Sequence, residues 1–474
     1  MKVCFAYIHQ YKNIKDVGIS LDSHFLYEYD SERKVLTIND NEQHIDYFYG
    51  KNIYSLAVIA GNNGAGKSNA LRFILNAVVD GVNDKSKCNG IVVYRDKNGL
   101  SYYSNDKNVR VVYNGRTVNE TYYMSCQTFF YSSHSIHCIR GEDIFTEEWD
   151  GMYNATDSVR MIKDYESYVN ANNLNGLRTY ENYLITHTGQ RGFKLLLFLK
   201  DYYMREARLE KLEIPPEVMI LPNSSGYYHI LDKGNVERGN KQYNGNMRSW
   251  QSLKNRVLYD FFITSLLNYS CNENDYFSWQ PLIESWEEFV KTNESEDIFI
   301  LWDLWTKGKD HSKELNRIRD VVHAIDYTCD FDDIYGRYHL KIEGNIEKVS
   351  RFIDDVYNTR EFLAARFIDT APSYDGVNDA MMSSGEEKFL YLMAELYFSH
   401  CIHWQKFDNK KVPTLFVLDE AELGYHPEWQ RKFISYLLDF FNHYKQKDIQ
   451  IVLTTHSPIL LSDIARQDTV LLEK

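Results

Sequence analysis

Apolar positions change their period twice along this chain. Over about the first 135 residues they fall in short runs: Lys2–Ile8, Val35–Ile38, Ile91–Tyr94, Val109–Tyr113 and Thr128–Tyr131. Asn, Asp and Gly separate them, so the segment reads as strands joined by turns. One run, Tyr54–Ala60, is apolar almost throughout, the pattern of a strand buried on both faces. From about residue 155 to 365 the spacing becomes helical. Phe193–Leu209, Leu253–Leu267, Ile283–Val290, Leu315–Ile325 and Val349–Phe367 each place apolar residues on one face, and a strand-like Arg337–Ile342 sits between the last two. The remaining residues alternate strand and helix, which predicts a parallel sheet covered by helices. The pattern predicts an α/β head made of residues 1–150 and 366–474, with mixed or parallel sheets, interrupted by a mainly helical insertion over 151–365.

The buried run at 54–60 leads into Gly61-Asn62-Asn63-Gly64-Ala65-Gly66-Lys67-Ser68, and a helical pattern of Leu71, Phe73, Ile74, Leu75, Val78 and Val79 follows. Glycine and asparagine tolerate left-handed backbone, so successive N–H groups can converge on an anion. The helix start adds a positive dipole end. This spacing matches a phosphate-binding loop: Lys67 reaches the β- and γ-phosphates and the Ser68 hydroxyl ligates Mg²⁺. A glycine-rich turn that binds nothing would not need the strand before it or the helix after it. Asn62, Asn63, Gly64, Ala65, Gly66, Lys67, Ser68 and Asn69 are therefore the expected nucleotide-binding set, with ATP and Mg²⁺ as ligands.

Two later segments extend that chemistry. Thr414–Glu420 is an apolar strand ending in two acids; Asp419 is placed to hold the metal shell and Glu420 to polarise an attacking water. His456 follows a second apolar strand, Ile449–Thr454, where ligands bind in parallel α/β sheets, and it could hydrogen-bond a γ-phosphate. Both segments lie 300 and more residues after Lys67. All must meet at one phosphate, and the last segment has no phosphate loop of its own, so the helical middle is expected as an insertion into one domain rather than as a tandem partner.

Composition narrows the class. The chain has 474 residues, enough for a large core, and a formal charge of −14 that disfavours electrostatic coating of nucleic acid. A local exception is the stretch holding Arg238, Lys241, Arg248, Lys254 and Arg256 with Tyr243 and Trp250, which reads either as a strand-gripping surface or as a solvated loop. Nucleic acid thus stays open as a partner. Seven widely separated cysteines give neither a disulfide framework nor a CxxC metal pair. The N-terminus lacks the apolar core of a signal peptide, and Leu195–Leu199 is far too short for a membrane span. A cytoplasmic protein with no membrane partner is expected.

Taken together, Asn62–Ser68, Met382-Ser383-Ser384-Gly385-Glu386, Asp419-Glu420 and Thr454–Pro458 resemble the P-loop, signature, Walker B and switch-histidine motifs of ABC-type ATPases. Ser-Ser-Gly-Glu in place of Ser-Gly-Gly-Gln is similar to the SMC-like, RecF-like and overcoming-lysogenization-defect branches. Ala421–Gln430 is similar to a segment common in prokaryotic defence ATPases of that branch, and Tyr11–Val17 to its opening strand and turn. The resemblance covers about the first 135 and the last 95 residues. It implies head-to-tail pairing of two heads, as a homodimer or a higher even-numbered oligomer, with Ser383, Ser384, Gly385 and Glu386 meeting the γ-phosphate in trans. It also implies Gln127 as a metal- and water-sensing residue, and Lys12 as a phosphate contact.

The function expected from this resemblance is an ATP-hydrolysing switch subunit of an anti-phage system, like the ATPase components of Septu- or PARIS-like pairs. The chain stops soon after Leu471-Leu472-Glu473-Lys474 and shows no cluster of nuclease-type histidines, so the destructive activity is expected from an effector encoded by a neighbouring gene. The alternatives are a DNA-repair or chromosome-associated ATPase, disfavoured by the acidic balance and the lack of heptads, and a transporter subunit, disfavoured by the signature and the insertion.

Overall fold

The computed structural model describes residues 1–79, 89–121, 126–133, 152–156, 159, 160, 163, 180–205, 214–222, 250–270, 276–309, 312–357, 368–373, 384–399, 414–443 and 448–473. Its first part contains β1 (Lys2–Tyr11), β2 (Ile14–Ser20), β3 (Phe25–Asp30), β4 (Val35–Asp40), β5 (Ile53–Gly61), α1 (Lys67–Val78), β6 (Gly90–Asp96), β7 (Gly99–Ser104), β8 (Arg110–Tyr113), β9 (Arg116–Thr117), β10 (Asn119–Glu120), β11 (Thr128–Ser132) and β12 (Met152–Asn154). The middle adds α2 (Tyr180–Met204), β13 (Glu217–Pro222), α3 (Leu253–Ser270), α4 (Tyr276–Thr292), α5 (Ile298–Thr306), α6 (Ser312–Thr328), β14 (Asp330–Asp332), β15 (Arg337–Lys341) and α7 (Ile346–Val356). The last part comprises β16 (Ile368–Ser373), α8 (Ser384–Phe398), β17 (Leu415–Asp419), α9 (Pro427–His443), β18 (Ile449–Thr455) and β19 (Thr469–Leu472).

The α/β fold expected from the pattern is present. A six-stranded sheet in the order β12-β11-β17-β18-β5-β19 forms its centre, and every pairing in it is parallel. All residues of β11, β17 and β18 are buried, as required of strands covered on both faces. The register sets Ser132 opposite Asp419, Asp419 opposite Thr454, and Thr455 opposite Ala60. Four strands from distant parts of the chain thus end at one edge. A second, largely antiparallel sheet, β10-β7-β6-β1-β2, packs Val3, Ala6 and Ile8 against Leu71, Phe73 and Ile74, so α1 is clamped between two layers.

The middle is less purely helical than its spacing predicts. Its helices bury an aromatic knot in which the Trp286 and Trp302 rings stand 5.0 Å apart, but β13, β15 and β14 add an antiparallel sheet. That sheet is completed by β16, whose residues lie beyond the boundary expected at 365: Val218 pairs with Pro372 and Ile220 with Thr370. The helix expected over Val349–Phe367 ends at Val356, with residues 358–367 outside the described residues. Nor is the middle a separate body. Phe198 of α2 packs on Tyr397 and Phe440, and the buried Lys194–Glu395 pair, 2.7 Å, also takes a 2.7 Å hydrogen bond from the Tyr153 hydroxyl. One carboxylate thereby ties all three parts of the chain together.

Candidate nucleotide site

The site begins with backbone geometry. Gly64 and Gly66 take φ of 80° and 103°, the left-handed region open to glycine at little steric cost. A Cβ on Gly66 would stand 2.8 Å from Ile14 Cγ1 and 3.2 Å from the Asn13 side chain. The loop is pinned from that side: Asn13 Nδ2 donates to the Gly64 carbonyl (3.1 Å) and Asn13 Oδ1 accepts from Asn69 Nδ2 (2.6 Å). Helix α1 has no side-chain cap on its N-terminus and no acid in its first turn. Its first N–H groups and its dipole are therefore left for an anion. Gly66→Ala should combine left-handed strain with this clash, costing about 1–3 kcal/mol in stability. Denaturant unfolding and nucleotide titration of the variant check it, with both midpoint and affinity expected to fall.

Lys67 and Ser68, the first residues of α1, reach opposite acids. Lys67 Nζ lies 3.1 Å from Glu420 Oε1 and donates to the carbonyls of Gly61 (3.0 Å) and Asn62 (3.4 Å). Ser68 Oγ donates to Asp419, 3.2 Å from both carboxylate oxygens. Asp419 is buried and accepts two further hydroxyls, Ser132 Oγ at 3.2 Å and Thr454 Oγ1 at 2.6 Å. An all-oxygen donor set around one buried carboxylate suits a hard cation such as Mg²⁺, which takes one or two carboxylates and completes its shell with phosphate and water.

Glu420 carries the least ordinary backbone of the site. Its φ is 47°, a conformation that costs a non-glycine residue about 1–3 kcal/mol. Thr454 holds it there, accepting from the Glu420 N–H through Oγ1 (3.0 Å) and the carbonyl (3.2 Å), while Ser133 Oγ donates to the Glu420 carbonyl at 2.5 Å. The turn keeps the side chain buried in the site, between Lys67 and His456 Nδ1, 3.6 Å from Oε2. Behind it, burial raises the Glu422 carboxyl above the usual range, while the hydrogen bond from the Thr455 hydroxyl pulls it back. A cavity of about 530 Å³ opens over these groups, lined by the phosphate loop, Asn13, Glu420, Leu423 and His456.

Most of the expected residues therefore meet. Asn63, Gly64, Gly66, Lys67, Ser68, Asn69, Glu420 and His456 line the cavity, Asp419 lies under it, and Asn62 and Ala65 complete the loop through the Ala65 N–H···Asn62 bond of 3.0 Å. Gln127 does not join them. It precedes β11, and its carbonyl accepts from Thr414 and Leu415 at the start of β17. All strands run parallel, so it sits at the far edge of the sheet, about 16 Å from the acids at ~3.3 Å per residue. The residue that β11 brings to Asp419 is Ser132, whose only sequence signal is its place at the end of an apolar run. Ser383 lies outside the described residues; Ser384, Gly385 and Glu386 open α8, which is joined to the site's turn by Lys388 Nζ donating to the Leu423 carbonyl (2.7 Å). Gly385 and Glu386 are not among the residues lining this chain's own cavity. Lys12 stacks over Tyr11 in the β1–β2 turn.

Asp419, Glu420 and His456 all fall in a segment with relatives. Residues 343–462 match the family described as "AAA domain, putative AbiEii toxin, Type IV TA system". The match covers the acids and the histidine but not the loop at 61–68, which only the sheet register brings to them. Over 201 residues the chain is 21% identical to the "Retron Vc95 probable ATPase" of Vibrio cholerae serotype O1 biovar El Tor. That alignment takes in 41% of this chain and 37% of the relative, well under half of its length. The chain also aligns over 99% of its length with 97% of a chain from "Structure of the recombination mediator protein RecF-ATPrS in RecFOR pathway", at 11% identity and a TM-score of 0.24.

Of the remaining expectations, no described helix is long and apolar enough to cross a membrane. Arg238, Lys241, Tyr243 and Arg248 of the basic stretch lie outside the described residues. Lys254 pairs with Asp326 at 2.7 Å, and Trp250 packs on the core beside Tyr259.

Proposed function

We propose that this chain binds and hydrolyses ATP as a regulatory switch, pairing through its heads with a second copy to control a separate effector in anti-phage defence. The observation that carries the reading is the convergence of Lys67, Ser68, Asp419, Glu420 and His456 on one cavity at the C-terminal ends of parallel strands. The uncapped α1 N-terminus and the loop amides bind the phosphates. Lys67 exchanges its carbonyl and Glu420 partners for phosphate oxygens. Ser68 and Asp419 would hold Mg²⁺, which when bound neutralises phosphate charge. Released from Lys67, Glu420 accepts the proton of the attacking water, and His456 stands where it can bond the γ-phosphate.

The pairing reading draws on α8. Its start, with the signature-like Ser384-Gly385-Glu386, is tied to the Leu423 turn, and Gly385 and Glu386 do not line this chain's own cavity, as contacts made to a second copy require. The defence reading draws on the toxin named in the family description and the retron named in the relative. Lys254 is already paired with Asp326, which favours this reading over a DNA-gripping one.

Purifying the chain together with its gene neighbours tests the proposal. A co-purifying effector should appear, and phage protection by the pair should be lost in Glu420→Gln. A partnerless chain with intrinsic nuclease activity would overturn it.

A further inference from the structure

A second constellation lies at the opposite edge of the central sheet. His24, in the turn between β2 and β3, stacks on His44 from the β4–β5 connection, with ring centroids 3.6 Å apart and planes 29° apart. Both imidazoles present Nε2 to the same atom: Asp46 Oδ1 lies 3.1 Å from His24 Nε2 and 3.4 Å from His44 Nε2. The three candidate donor atoms fall within 4.8 Å of one another. His44 Nε2 is buried and makes no hydrogen bond.

The protons decide what this arrangement needs. His24 Nδ1 contacts Asp22, a fully buried carboxylate that also accepts the Tyr54 hydroxyl at 2.5 Å. A carboxylate only accepts, so His24 Nδ1 carries the proton and the neutral ring has its lone pair on Nε2. His44 Nδ1 lies 3.1 Å from the Ser23 hydroxyl, and in the tautomer that donates its Nδ1 proton there, His44 too has its lone pair on Nε2. In that tautomer two lone pairs face one carboxylate oxygen. A cation between them removes the repulsion, and it is either an extra proton or a metal ion.

We propose that His24, His44 and Asp46 form a binding site for a divalent transition ion of the zinc class. Bond lengths of 2.0–2.2 Å to nitrogen and oxygen give a tetrahedron with edges of about 3.3–3.5 Å, close to the two measured separations. The imidazoles must splay from their stack for both lone pairs to point at one ion. Each ring already has the outer partner that metal-binding histidines require: Asp22 orients His24 and Ser23 orients His44. Three protein ligands leave the fourth position to water or an anion. Asp46 is 74% exposed at its side chain, and a cavity of about 620 Å³ lined by His24, Asp46, Tyr54 and Arg95 gives an entry path. The ion would lie about 23 Å from the phosphate loop, since His24 stacks on Tyr54 and β5 runs from there to Gly61 at ~3.3 Å per residue, so it is independent of the nucleotide's metal.

The test uses the full chain stripped of metal and free of nucleotide. Zn²⁺ titration against a chelating dye, with Co²⁺ absorption as a coordination readout, should give one ion per chain. Asp46→Asn should weaken binding at least tenfold, His44→Gln should abolish it, and Asp22→Asn should cost about 10–100-fold. Asp419→Asn should leave the Co²⁺ spectrum unchanged. Because Asp46 is exposed, Asp46→Asn is the variant that keeps its fold, and its metal-free thermal midpoint verifies that. Equal Zn²⁺ binding by wild type and Asp46→Asn, or no binding by wild type, overturns the proposal.

Discussion

Glu420→Gln should lower ATP turnover by about 10²–10⁴-fold, the usual contribution of a positioned general base, while nucleotide binding survives. The structure also sets the sign of the binding change. Glu420 Oε1 holds Lys67 Nζ at 3.1 Å, and the same lysine is wanted by the phosphates. Glutamine removes that competitor and removes a carboxylate that would repel phosphate oxygen, so affinity should rise rather than fall. Single-turnover hydrolysis and equilibrium binding on the same preparation separate the two effects. If the paired-head reading holds, the variant should accumulate as a dimer with ATP on a sizing column. Hydrolysis at the wild-type rate would remove Glu420 from the role of base.

Lys67→Ala should weaken nucleotide binding by about 2–4 kcal/mol, roughly 30- to 1,000-fold, because a buried charged contact to the phosphates is lost. It should also destabilise the empty protein, since Glu420 is 6% exposed and loses its ammonium partner. A double variant distinguishes the two losses. Lys67→Ala combined with Glu420→Gln should recover much of the stability, the stranded charge being gone, yet recover none of the affinity. Denaturant midpoints and nucleotide titration of the four proteins complete the cycle. Recovery of both properties would mean that the lysine matters to the fold and not to phosphate.

What the residues declare alone, and what needs folding, divides along a physical line. Local chemistry is written in short windows. The 61–68 loop needs only glycines, a lysine, a serine and an apolar strand before them, and the strands at 415–419 and 449–455 show themselves by unbroken apolar runs. Those windows sufficed to nominate Lys67, Ser68, Asp419, Glu420 and His456. The pairing of β13 with β16 was not legible, because a six-residue apolar strand has no period that tells it from buried helix and its partner lies about 150 residues away. Gln127 failed for a related reason. A residue type at a strand edge looks the same at either end of the strand, and only the parallel register of β11 on β17 decides that Ser132, not Gln127, stands beside Asp419.

The His24, His44 and Asp46 cluster gave no sequence signal, since the spacing of its members follows no motif and their meeting depends on how two loops fold over Tyr54. The sequence by itself determined which atoms can bind phosphate and move a proton, because those are properties of residue types in local order. Only the tertiary structure decided which of them share a site, because register and strand direction are set by burial of whole faces at distances no local pattern spans.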